Sequence, residues 1–175
     1  MALHETTISL LKESLPEFLE TAKFCIKFRK NDGGCLGYPG AAIMFSIVDS
    51  IGSYHAGKKG FTVPIDGQQK NITGTSDHFF ILNSYFYEFN LEQRIINKLY
   101  SNYRCLLLHN SALAINHFLV MDENNDTPFI VNDDNVNVNV TGFLKSTTKA
   151  VDIFLKEINE IVPGSKQLRN IEKKR

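Results

Sequence analysis

Apolar residues recur at spacings of three and four over most of this chain, the period of helices that bury one face. The first such stripe is Ile8, Leu11, Leu15, Phe18, Leu19, Ala22, Cys25 and Ile26, within a helical region from about Thr6 to Arg29. Pro16 interrupts it, and Ser14 with Glu17 forms a capping box, so a short helix feeding a longer one is predicted. After Asn31-Asp32-Gly33-Gly34, a second helix opens at Tyr38-Pro39-Gly40 and stops at Gly57. A third, aromatic-rich and read as core, covers roughly Ser76 to Phe89. The fourth, Leu91 to about Asn110, is capped by Asn90 and carries Leu91, Ile95, Ile96, Leu99, Tyr103, Leu106 and Leu107 on one stripe. It reads as the stretch around which the chain is organised. A last helix keeps a stripe from Leu144 to Ile161 and ends at Pro163-Gly164.

Two regions break this period. Residues 57–75 show none, and a loop this long is usually functional or mobile, although a solvated surface loop is the plainer expectation. Lys58, Lys59 and Lys70 on it are weak candidates for phosphate contact, with no P-loop pattern around them. Phe118–Met121 and Phe129–Val131 flank the turn segment DENNDTP and predict a β-hairpin near 117–132. That turn mimics the start of a calcium loop, but Thr127 stands in place of the required glycine, so a polar turn explains it. Residues 132–139 alternate asparagine with valine and fit either extended chain or the approach to a helix. The expected fold is mainly α: four or five helices with a small β-hairpin, in a single domain over 1–175 whose basic tail, 166–175, is frayed.

Composition narrows the class. Apolar residues make up 43 % and charged residues 22 %, the balance of a folded chain rather than a disordered one. Nineteen basic residues match nineteen acidic ones, so any nucleic-acid binding must rest on a local patch. Three cysteines without metal-ligand spacing predict neither a disulfide framework nor a metal site, and no cofactor is expected. The N-terminus lacks a signal-peptide pattern, and the longest apolar run, 41–48, is too short for a membrane span. A cytoplasmic protein with no membrane contact is expected.

The end of the fourth helix carries the candidate chemistry. Arg104 and His109, with four residues between them and followed by Asn110, resemble the Arg-x4–6-His signature of the HEPN superfamily. That resemblance implies a helical bundle acting as a metal-independent endoribonuclease, with Arg104 and His109 catalytic and RNA as partner. It further implies a toxin or phage-defence role, with an antitoxin or other protein partner. The residue types suit the reaction. Histidine moves protons near neutral pH, and arginine stays charged and holds phosphate with paired hydrogen bonds. Such cleavage uses the ribose 2′-hydroxyl as nucleophile. Five residues at ~100° each separate the two side chains by ~140° on an ideal helix. A two-fold dimer would remedy this by bringing two copies of each residue to one cleft. Cys105 and Leu108, off the core stripe, give the apolar surface for that contact, and HEPN ribonucleases dimerise in this way. Asn110, Tyr100, Asn102, Asn116 and His117 lie near enough in sequence to support the pair. Asp49 stands on the polar edge of the second helix with Ser50 and Ser53, either orienting a catalytic group or simply facing solvent. The alternative is a non-catalytic helical module that regulates or binds a protein. Its distinguishing feature is Cys105, where active HEPN members often carry a polar residue.

Overall fold

The computed structural model describes residues 6–133 and 135–173. It is mainly helical with two small sheets. The last two residues of the predicted tail lie outside the described part.

The helix around which the others pack is α2, Gly37–His55, which touches α1 (Thr7–Lys27), α5 (Val140–Ile161), α6 (Lys166–Glu172) and the 93–110 stretch. Its sequence explains this, because Met44, Phe45, Ile47, Val48 and Ile51 are buried on more than one face. The central place expected of 91–110 therefore belongs to α2. α1, Thr7–Lys27, is one unbroken helix with Pro16 inside it, and its cap is the Thr6–Ser9 box rather than Ser14. Leu11, Leu15, Leu19, Ala22 and Ile26 bury its inner face. That continuous stripe outweighs the hydrogen bond that Pro16 cannot donate.

Residues 57–75 are not structureless. β1, Val63–Ile65, pairs antiparallel with β2, Gln68–Lys70. Asp66 and Gly67 between them both have positive φ, 50° and 75°. That is the geometry of a tight two-residue hairpin turn, which Asp-Gly favours. Lys70 donates to Gln93 at 2.5 Å, which draws it away from a phosphate-binding role. The aromatic segment forms a 3-10 helix, Ser76–Asn83, shorter than the helix predicted, with Phe79, Phe80, Ile81 and Leu82 all buried. Asp77 braces its start by accepting from the Thr73 and Gly74 backbone amides.

The fourth helical stretch is composite. α3, Gln93–Lys98, runs into a π-helical turn, Leu99–Cys105, and then α4, Leu106–Asn110. Its N-cap residue is Glu92, not Asn90. Tyr103 projects from the π turn and its hydroxyl donates to Val136 O at 2.5 Å, tying the rod to the second sheet. In that sheet, β5, Asn135–Asn139, lies between β3, Leu119–Val120, and β4, Phe129–Asn132. The hairpin partner of β4 is β5, and β3 pairs with β5 in parallel. Val136 and Val138 are fully buried, which settles the asparagine–valine alternation as a strand. Buried Asn139 binds the 122–125 turn and caps α5, Val140–Ile161. Where a frayed tail was predicted, Ser165 caps a short helix, α6, Lys166–Glu172.

Candidate active site

Three polar side chains converge from three elements. Asp49 comes from α2, His78 from the 3-10 helix and Arg104 from the π turn. Asp49 Oδ1 lies 2.7 Å from His78 Nδ1, and Arg104 Nη2 donates to Asp49 Oδ2 at 2.5 Å. All three are mostly buried. The Arg104 guanidinium also sits 5.7 Å from the centre of the Tyr100 ring, which packs edge-on against Phe79. Arg104 Nε is buried and has no hydrogen-bond partner among the described residues.

The approach of these elements depends on Gly52, one turn after Asp49 on α2. A Cβ there would stand 2.1 Å from the carbonyl oxygen of His78. Only glycine lets the 3-10 helix come near enough to place His78 on Asp49.

Burial alone would raise the pKa of Asp49. The hydrogen bond from His78 and the charge of Arg104 outweigh it and hold the carboxyl below its ordinary value. Burial likewise works against the Arg104 charge, and Asp49 overcomes it, so the guanidinium is held still more firmly protonated. Asp49 is thus a fixed carboxylate that orients an imidazole on one oxygen and anchors a guanidinium on the other. A histidine whose Nδ1–H is held by a carboxylate presents Nε2 as a base. His78 lines two adjoining polar clefts, each of about 290 Å³, whose walls include Ser53, Thr75 and Gln167.

The sequence-derived candidates divide between this cluster and other places. Arg104, Asp49 and Tyr100 belong to it. His109 and Asn110 stand exposed in the last turn of α4, and His109 lines neither of the two clefts. Asn102 and His117 pair with each other, Asn102 Nδ2 lying 3.0 Å from His117 Nε2. His117 lines a separate, largely apolar pocket with Cys35, Tyr38 and Phe118. Asn116 is exposed at a positive φ of 63°. Cys105 is half-buried and Leu108 exposed. Lys58 and Lys59 are exposed, and Lys58 borders a small cleft beside α6. His78 was not among the candidates, because it lies within an aromatic run that reads as core. Among the described residues, no group of three or more His, Cys, Asp or Glu side chains is placed to hold a metal ion. No described helix is long and apolar enough to cross a membrane.

Comparison of the chain with protein-family models, with curated proteins and with solved structures found no match.

Proposed function

We propose that the chain is a metal-independent endoribonuclease in which Asp49, His78 and Arg104 are the central group. The observation that carries this is one carboxylate, Asp49, that stands with His78 at the wall of a polar cleft and holds this histidine on one oxygen and an arginine on the other. His78, oriented by Asp49, takes the proton of a ribose 2′-hydroxyl through Nε2. The 2′-oxygen attacks the adjacent phosphorus and the bond from phosphorus to the 5′-oxygen breaks. The products are a 2′,3′-cyclic phosphate and a free 5′-hydroxyl. Arg104, behind Asp49, keeps that carboxylate ionised and adds positive charge to the site as negative charge grows on the phosphate.

The leaving 5′-oxygen needs a proton, and His109 is assigned that step. His109 lies outside the cluster of its own chain, so it acts from a second copy packed across Cys105 and Leu108. The resemblance of Arg104 and His109 to the HEPN pair supports this arrangement, with the base moved to His78. In this reading the protein works in the cytoplasm as a toxin or phage-defence component, restrained by an antitoxin.

Incubating the protein with cellular RNA in EDTA tests the proposal. Fragments ending in 2′,3′-cyclic phosphate are expected, and their absence from every RNA pool would contradict it. A second reading has its own observation. Arg104 is fastened to Asp49 across 55 residues of sequence, as in a structural staple joining α2 to the π turn. Removing one partner of such a pair leaves the other charge uncompensated in a poorly solvated place. For a non-catalytic protein-binding module, Arg104→Ala would lower stability, and no variant would alter an RNA pool.

A further inference from the structure

We propose that a groove leading from His78 to α6 is the track for the backbone of a single-stranded RNA. This rests on the ribonuclease reading and names the substrate-binding arm of that site.

Three clefts run into one another. The two at His78 share Ser53, Thr75 and Gln167, and the outer of these shares Ala56 and Lys166 with a third, of about 60 Å³, beside Gly164. Lys58, Lys166 and Arg169 line the far end, all three exposed. Among the described residues, no aspartate or glutamate lines the two outer clefts, and the one acid that lines the inner one, Asp49, is paired with Arg104. In a chain with nineteen basic and nineteen acidic residues, this is a local excess of positive charge. Polyanions are held by such an excess. Apart from His78, no described aromatic side chain on which a base could stack lines the outer clefts. Contacts there reach phosphate and sugar, which position a strand without reading its sequence. Thr75, Gln167 and Asn170 supply the neutral donors between the cations and His78.

The test uses fluorescence anisotropy with a labelled 2′-O-methyl uridine 12-mer. Its blocked 2′-oxygen cannot attack phosphorus, so binding is read apart from cleavage. Wild-type protein is expected to bind, with affinity falling as salt rises. The Lys58→Gln/Lys166→Gln variant is expected to bind about tenfold more weakly. The slope of log affinity against log salt should fall by about 1.4, at ~0.7 per phosphate contact on a single strand. Lys12→Gln/Lys27→Gln, whose sites line none of the three clefts, should match wild type. No binding by wild type, or an unchanged Lys58→Gln/Lys166→Gln variant, would overturn the inference. So would tighter binding of a 12-base-pair duplex than of the single strand. If Lys166→Gln perturbs α6, seen as altered circular dichroism, Lys58→Gln alone should still lower the slope by about 0.7. If the 12-mer binds as described while wild type cleaves no RNA in EDTA, the groove stands and the ribonuclease assignment falls.

Discussion

Two histidines, His55 at the end of α2 and His78 on the 3-10 helix packed against it, have opposite fates. His78 reaches a cleft, whereas His55 is 1 % exposed, with Nδ1 3.0 Å from Ile51 O and its ring against Phe61 and Phe86. Burial pushes the His55 pKa down to about 4 from its ordinary 6.5. The unfolded chain therefore binds the proton more readily than the folded one. The stability linked to His55 is complete above pH 6.5 and drains away as pH falls towards 4. At pH 5 the loss amounts to about 2 kcal/mol, at 1.36 kcal/mol per pKa unit. Urea unfolding at pH 7.5 and pH 5 should show wild type losing that much more than His55→Gln. Equal losses would contradict it. Asp49 titrates lower. Its depressed pKa contributes stability above the ordinary carboxylate value of 3.8, lost only as pH falls further, so the two effects separate along the pH axis.

Between elements, the decisive contact is the one at Gly52. Gly52→Ala drives a methyl group into the His78 carbonyl, which belongs to backbone and cannot swing aside. The cost should be about 1–3 kcal/mol in urea unfolding, the range for overpacking. The 3-10 helix would move off α2, taking His78 from Asp49, so RNA cleavage should fall with stability. Ser50→Ala, on the same helix, should leave stability within about 0.5 kcal/mol. Full cleavage by Gly52→Ala would show that His78 does not need that placement. None of this was legible in the sequence, because His78 is 29 residues from Asp49 and Arg104 a further 26 beyond His78. Such contacts depend on how elements pack, not on any local period. The long helices were legible, since their stripes span several turns each. The β1–β2 hairpin was missed although Asp66-Gly67 is a turn signal, because strands of three residues are too short to show alternation. The β5 sequence fits both extended chain and the approach to a helix, because polar Asn135, Asn137 and Asn139 alternate with its two fully buried valines. Of the candidate site, Arg104 carries a sequence signal in its spacing to His109, and Asp49 one in its polar place on an apolar helix. His78 had neither signal.

At the scale of the whole molecule, three large apolar side chains stand exposed at the end of α4 and in the chain that follows it. Leu108 is 43 % exposed, Phe118 58 % and Ile115 89 %. Exposed apolar side chains are ordinary when scattered and informative when grouped. These three lie within eleven residues at one end of the helical rod, where the proposed two-fold contact presents the same surface from each copy. Sedimentation at micromolar concentration should give a dimer for wild type and a folded monomer for Leu108→Arg. A wild-type monomer would remove the shared site and the role given to His109. The most direct measurement compares single-turnover RNA cleavage in EDTA by wild type and His78→Ala, with folding checked by circular dichroism. His78→Ala keeps the Asp49–Arg104 pair and should slow cleavage 10²-fold or more, the loss expected for a proton-transfer group. A folded His78→Ala protein that cleaves at the wild-type rate would contradict the central claim that this histidine is the base.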